Sequence, residues 1–399
     1  MSEAPFIAIT CGGTGGHLFP GMAIGRALIE RGCNVALMVS AKAVDQLATR
    51  GVSDFEIVTV PAEQLSRTAP LNFVRGASRS FTLARALFKE RNPAAVLGMG
   101  SFTSVGPMLA AKSLGIRTFL HEANALPGKA NRYLAPLVDK VFLGFHDSKG
   151  ALRQTNVEVT GTPVREEIAA GDPSASRMAL GLHPQRPTIL IMGGSQGATA
   201  LNQLIVKALP DLLTRWPDLQ FIHLSGASDF ASVQAAYKAA GAKGLVAPFL
   251  TEINYALNAA TVAIARSGAS TLAEFATVRL PALFIPLPTA ADDHQTLNAH
   301  ALVKTGAALL LQQREATPER LVQKLSGLLD SPETRAFTQH ELGKWQFPNP
   351  AQVVADRILE SIGWEAPDYE AELLRSYQAK LNPPTRTSVL EPQSEFANA

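Results

Sequence analysis

The sequence predicts an α/β protein built from two Rossmann-like domains whose parallel sheets face each other across a cleft. Three observations carry this reading. Short apolar runs alternate with amphipathic stretches along most of the chain, the pattern of parallel strands covered by helices on both faces. An apolar run, a glycine-rich turn and a helix open the chain at 6–31, and a similar opening recurs at 188–213. The 399 residues also exceed what one ordinary core holds.

Composition narrows the function classes. With 46% hydrophobic and 18% charged residues the chain is folded and rather apolar, and a net charge of +2 is too small to make nucleic acid the main partner. No window has the unbroken apolar length of a membrane span, and the N-terminus lacks the pattern of a signal peptide. Two cysteines, Cys11 and Cys33, give no disulfide framework and fit a reducing cytoplasm. His121-Glu122 resembles the start of a zinc-binding H-E-x-x-H helix, but Ala125 stands where the second histidine belongs, so no metal site is expected.

The first opening runs from the strand Phe6–Thr10 through Cys11-Gly12-Gly13-Thr14-Gly15-Gly16-His17 into a helix over 18–31. The glycines let a ligand approach the main chain, and a helix N-terminus offers N–H groups to an anion. Pro20 is expected in the first turn, where a missing N–H costs least. His17 lies at the mouth of this turn and can take a proton from a hydroxyl near neutral pH. Leu18 stands where the dinucleotide fingerprint needs its third glycine, and no Walker lysine follows. A packing turn with a structural histidine is the bland alternative.

Strands are expected at 35–40, 55–60, 94–97, 117–120, 141–144 and 157–160, with a short helix at 43–50. The stretch 65–91 mixes Leu71, Phe73, Phe81, Leu83 and Phe88 with Arg67, Arg75, Arg79, Arg85 and Lys89, and is nearly free of acids. An apolar face fringed by arginine suits an anionic membrane surface, and equally a core-facing helix with a basic outer side. A second glycine turn, Gly98–Ser104, and the segment His121-Glu122-Ala123-Asn124 follow strands, so three polar loops converge on the ligand-side edge of one sheet.

The domain boundary is placed at Gly161–Arg165. Beyond it, strands are expected at 188–192, 221–224, 244–249, 262–265 and 283–286, with Gly193–Ala198 repeating the opening turn. Arg266–Glu274 is the strongest local site: small residues open a helix whose N–H groups suit a diphosphate, and Glu274 sits a turn inside, where a carboxylate accepts ribose hydroxyls. An N-capped helix with a surface glutamate is the alternative. Asp293, His294 and Gln295 cluster at another helix start, Gln295 being suited to sugar hydroxyls. The organisation read from this is 1–165 for the first domain, 166–345 for the second, 346–362 for a last helix, and 363–399 for a mostly disordered tail.

Seven spaced stretches, GGTGGHLFPG (12–21), GMGSFTSVGP (98–107), HEAN (121–124), GTPVR (161–165), GGSQGA (193–198), RSGASTLAE (266–274) and HQTLNA (294–299), together resemble the MurG family of N-acetylglucosaminyltransferases over about residues 5–362. The resemblance implies the GT-B fold, with the last helix crossing back to the first domain. It implies inverting transfer of N-acetylglucosamine from UDP-N-acetylglucosamine to the 4-hydroxyl of lipid I, giving lipid II in peptidoglycan synthesis. It further implies a peripheral position on the cytoplasmic membrane face, cell-wall and division proteins as partners, and no cofactor or tightly bound metal.

Carried over by position, the resemblance puts Thr14, Gly15 and Gly16 at the donor–acceptor cleft and gives donor contacts to Asn124, Arg165 and Ser195. It assigns Ala269, Ser270, Thr271, Leu272, Ala273 and Glu274 to the diphosphate and ribose, Leu250 to uracil through its backbone, and Gln295 to the sugar. His17 matches a histidine proposed to act in catalysis, and Glu122 is the alternative base. Where the family has Gly-Gly-Tyr this chain has Gly100-Ser101-Phe102. Rival readings are another UDP-sugar enzyme of the same fold, such as a UDP-N-acetylglucosamine 2-epimerase, an NAD-dependent oxidoreductase, and a non-catalytic nucleotide-sugar sensor.

Overall fold

The computed structural model describes residues 3–365 except 14, 43, 44, 47, 48, 51, 63–69, 155, 195 and 196. The first domain runs β1 (Phe6–Thr10), α1 (Gly15–Ile29), β2 (Asn34–Ser40), β3 (Glu56–Val60), α2 (Pro70–Arg91), β4 (Ala95–Gly98), α3 (Val105–Ser113), β5 (Arg117–Glu122), α4 (Lys129–Leu134), β6 (Lys140–Leu143) and β7 (Val157–Val159). Its seven strands lie in the order β3-β2-β1-β4-β5-β6-β7, and every pairing is parallel.

The second domain runs α5 (Pro173–Ala179), β8 (Thr188–Met192), α6 (Thr199–Arg215), β9 (Gln220–Leu224), α7 (Phe230–Ala239), β10 (Lys243–Ala247), α8 (Ile253–Ala259), β11 (Val262–Ala265), α9 (Ala269–Val278), β12 (Ala282–Phe284), α10 (His294–Val303), β13 (Leu309–Leu310), α11 (Pro318–Leu329) and α12 (Pro332–Gly343). Its sheet is also parallel, in the order β10-β9-β8-β11-β12-β13.

Both sheets are buried on two faces, which is why their strands read as apolar runs rather than alternations. Phe6–Thr10 is buried throughout, as is Val262–Ala265. In each sheet the strand order reverses beside the first strand, between β1 and β4 and between β8 and β11. A doubly wound sheet opens a crevice at that point. The glycine turns after β1, β4, β8 and β11 therefore all stand at switch points.

Helix α13 (Pro350–Ile362) returns to the first domain, where Ala351, Val354, Ile358 and Leu359 pack in one cluster with Ile7, Leu18 and Ile24. Arg31 pairs with Asp356 at 2.5 Å and Arg357 with Glu158 at 3.0 Å. Gly363 closes the helix in the left-handed conformation, and the Trp364 indole donates to the Arg31 carbonyl at 3.2 Å. Packed chain thus continues past the expected start of the tail at 363; the tail from 366 on lies outside the described residues.

Sequence periodicity also misplaced the start of the first helix. It begins at Gly15, so His17 lies on its first turn and Pro20 lies inside the helix. The basic stretch forms α2, which buries Gly76, Ser80, Ala84 and Phe88 and exposes Val74, Arg75, Arg79 and Lys89. Leu65 and Arg67 lie outside the described residues. No helix among the described residues is long and apolar enough to cross a membrane.

Candidate active site

His17 is held by its own domain. The ring sits over Gly100, a residue at φ +94° where an added Cβ would come within 3.2 Å of the imidazole. Its Nδ1–H donates to the Met99 carbonyl at 2.8 Å, which leaves Nε2 as the unprotonated nitrogen. Burial lowers the imidazole below its ordinary pKa, against the opposing pull of Glu122, the Met99 carbonyl and Asp45; His294 adds to the lowering. The net direction keeps His17 neutral at pH 7, the form a general base needs.

Glu122 is a different case from the one expected. It is 2% exposed. Its Oε1 accepts from the Asn124 backbone N–H at 2.8 Å and from Asn124 Nδ2 at 3.1 Å. Its Oε2 accepts from the Gly128 N–H at 2.8 Å and from Asn131 Nδ2 at 2.9 Å. Four donors occupy the carboxylate, so it holds the loop after β5 together and is not open to an acceptor hydroxyl. The geometry removes Glu122 as a base and leaves it as a fixed negative charge near His17. His121, fully buried, gives Nε2–H to the Gly161 carbonyl at 3.0 Å, and burial lowers its pKa to about 4.

The second domain faces these groups with two helix starts. Helix α9 begins after Gly268 with no side-chain cap, so the first N–H groups, those of Ala269, Ser270 and Thr271, lack intrahelical acceptors. Ser270 Oγ donates to the Gly16 carbonyl of the first domain at 3.2 Å. That carbonyl is the i−4 partner Pro20 cannot supply with an N–H, so the proline expected in the first turn instead frees an acceptor at the domain junction. Leu272 and Ala269 are buried in the core of the second domain, and Ala273 is half-buried.

Glu274, 7% exposed, accepts from Arg165 Nη2 at 3.2 Å on Oε1. Burial raises its pKa, opposed by Arg165. The Arg165 guanidinium also lies 4.9 Å over the Phe19 ring of α1, so one arginine touches both domains. Gln295 uses Oε1 to accept the Leu287 N–H at 3.0 Å, and its carbonyl accepts from Ser267 Oγ at 2.8 Å. Leu250 is half-buried in the loop after β10, packed on the second core. Thr14 and Ser195 lie outside the described residues.

Sequence reasoning overlooked Asn298, which joins the two domains. Fully buried, it accepts the Ala125 N–H at 2.9 Å and donates to Asn124 Oδ1 at 3.1 Å and to the Ser267 carbonyl at 3.2 Å. Its signal was available, since asparagine is a poor residue for a helix interior unless its amide is used. The loop before α10 carries a second bridge: Asp292 pairs with Arg132 at 2.7 Å and Lys129 at 3.3 Å. Asp292 and Asp293 are both left-handed, at φ 51° and 52°. Among the described residues no group of three or more His, Cys, Asp or Glu could hold a metal ion.

Both domains of the chain have known relatives. Residues 7–143 match the glycosyltransferase family 28 N-terminal domain, and residues 188–357 its C-terminal domain. A UDP-N-acetylglucosamine--N-acetylmuramyl-(pentapeptide) pyrophosphoryl-undecaprenol N-acetylglucosamine transferase of Methylobacterium sp. is 34% identical, over 90% of this chain and 97% of the relative. The chain belongs to this transferase family. The Geotalea daltonii member is 33% identical over 88% of this chain and 96% of its own length.

Among solved structures, Acinetobacter baumannii MurG aligns with a TM-score of 0.71 at 30% identity, over 89% of this chain and all of that one. A UDP-N-acetylglucosamine 2-epimerase aligns at 0.60 with 14% identity, over 99% of this chain and 100% of that one, and shares the fold alone. The MurG family is thus matched across both domains, and both domains supply groups to the site.

Proposed function

We propose that this chain transfers N-acetylglucosamine from UDP-N-acetylglucosamine to lipid I, the undecaprenyl-diphosphate-linked muramyl pentapeptide, and so makes lipid II. The observation that carries the reading is the junction itself. An unprotonated His17 Nε2 from one domain stands with the open helix start at Ala269–Thr271 of the other and with the Arg165–Glu274 pair that spans the two. Similarity to the transferase family over 88–90% of this chain supports the same substrates.

In this reading Glu274 accepts ribose hydroxyls through the oxygen Arg165 leaves free, and the N–H groups of Ala269, Ser270 and Thr271 hold the diphosphate. Ser195, Leu250, Asn124 and Gln295 complete the donor contacts, while Thr14, Gly15 and Gly16 border the acceptor. His17 Nε2 takes the proton of the 4-hydroxyl as its oxygen attacks the anomeric carbon on the face opposite UDP. The bond from that carbon to the diphosphate oxygen breaks, with inversion. Charge gathers on the departing diphosphate, where the oriented N–H groups stabilise it. Burial keeps the base neutral beforehand, and Glu122 favours the imidazolium that forms.

The acceptor is lipid-borne, so the exposed arginines of α2 meet the cytoplasmic membrane surface, and the protein is peripheral there. Cell-wall and division proteins are further candidates to dock on it. The transfer step needs no metal or cofactor, because proton removal and leaving-group stabilisation are both supplied by the chain.

UDP release from UDP-N-acetylglucosamine, measured with and without a lipid I analogue, tests the function. Release that depends on the acceptor and matches lipid II formed is expected. Acceptor-independent UDP release with appearance of N-acetylmannosamine would instead mark a 2-epimerase.

A further inference from the structure

Beneath the first glycine turn lies a carboxylate that the mechanism has not used. Asp45 is fully buried. Its Oδ2 accepts from the Gly13 N–H at 2.6 Å, from the Ser40 N–H at 3.2 Å and from Ser40 Oγ at 2.5 Å. Its Oδ1 is also buried and has no hydrogen-bond partner among the described residues. The fit leaves no slack, since a Cβ on Gly12 would come within 2.9 Å of Oδ2 and 2.4 Å of the Ser40 nitrogen.

Burying a charge costs heavily unless it is fully partnered, and three donors on one oxygen with none on the other is an incomplete set. A neutral asparagine amide could keep the acceptor and place N–H groups at the orphaned position. The carboxylate is therefore a poor choice for stability alone. What it adds is a negative charge behind the turn that carries His17.

We propose that Asp45 is a positioning residue for the transfer reaction: it pins the glycine turn to the end of β2 and supplies a fixed negative charge that stabilises the His17 imidazolium formed during proton transfer. The proposal rests on His17 acting as the base in the function proposed above. The titratable groups around His17 are Glu122 and His121 from β5, His294 from the start of α10, and Asp45. Glu122 and Asp45 favour the protonated ring and His294 opposes it, while His121, lowered to about 4, stays neutral where His17 takes up its proton. Removing Asp45 shifts that balance in one direction only.

The test is an NMR titration of the His17 imidazole in the full chain without substrate, paired with the pH dependence of transfer. Asp45→Asn is expected to move the imidazole midpoint and the acid limb of kcat/KM to lower pH. It should reduce plateau kcat about threefold to tenfold, a fraction of what a whole general base contributes, with the donor KM unchanged. Asp45→Glu restores the charge and is expected to return the midpoint to the wild-type position.

A wild-type midpoint in Asp45→Asn, or a midpoint in Asp45→Glu displaced as in the asparagine variant, overturns the proposal. Should Asp45→Asn fail to fold, the smaller neutral variant Asp45→Ser takes its place: a midpoint moved to lower pH supports the electrostatic role and a wild-type midpoint overturns it. The substrate-free titration reads Asp45 whether or not the enzyme acts on lipid I. Absence of transfer by the wild type would strike the functional reading instead.

Discussion

The Ser270 hydroxyl donates to the Gly16 carbonyl at 3.2 Å, joining helix α9 of the second domain to the first turn of α1. The acceptor is available because Pro20, four residues on, has no N–H to claim it. Pro20→Ala restores that donor and draws the carbonyl into the helix ladder. An interior proline costs a helix about 3 kcal/mol, so the variant is expected to melt higher while transferring more slowly. Thermal unfolding followed by steady-state kinetics checks both; a variant that melts lower with unchanged transfer contradicts the account.

Replacement of His17 bears on chemistry and not on donor affinity. His17→Ala is expected to lower turnover about 10²–10⁴-fold, the range of a single positioned base, with UDP affinity by calorimetry near that of the wild type. Because burial holds the imidazole below 6.5, the acid limb of kcat/KM should fall below that value too, and activity is lost only as pH drops through it. Wild-type turnover in His17→Ala excludes it as the base.

Glu274→Gln separates binding from catalysis. The amide keeps the shape but loses the charge that faces Arg165 and, in the proposed reading, the ribose. A hydrogen bond to a charged group contributes about 1.5–3 kcal/mol, so the donor KM should rise about tenfold to a hundredfold, with kcat changed less. An unchanged donor KM places the ribose elsewhere.

The basic helix gives the membrane prediction. Arg75 and Arg79 are exposed, while Arg85 is half-buried with Nε 3.4 Å from Ser113 Oγ. Changing all three to glutamate is expected to abolish flotation with anionic vesicles and leave binding of UDP-N-acetylglucosamine intact. Unchanged flotation removes this face from the membrane account.

What the sequence discloses and what it hides divide along physical lines. Strands such as Val262–Ala265 and the glycine turns are legible because local chemistry dictates them: buried parallel strands must be apolar, and sharp turns favour glycine. The Gly100-Ser101-Phe102 departure is legible too, and the structure shows its cost. Ser101 holds φ 65°, ψ 164°, a conformation glycine adopts without strain, and Phe102 packs edge-on against Phe73 of α2 at 5.3 Å.

The hidden part is which groups a folded side chain meets, near or far in the chain. Glu122 reads as a candidate base until Asn124, Gly128 and Asn131 are seen to occupy it. Asn298 and Asp45 act through partners 173 and 32 residues distant in the chain, which periodicity does not register. A run of glycine carries no helical signal, so the helix start at Gly15 is not legible in the sequence, and that single shift moves Pro20 from the first turn into the helix, where it frees a carbonyl.

The structure of the complex with UDP-N-acetylglucosamine tests the central claim most directly. The account predicts uridine and diphosphate on Ala269–Glu274, ribose hydroxyls on Glu274, and the anomeric carbon turned toward His17 Nε2 with its far face open to an acceptor. Uridine lodged away from the second domain, or an anomeric carbon facing away from His17, would contradict it.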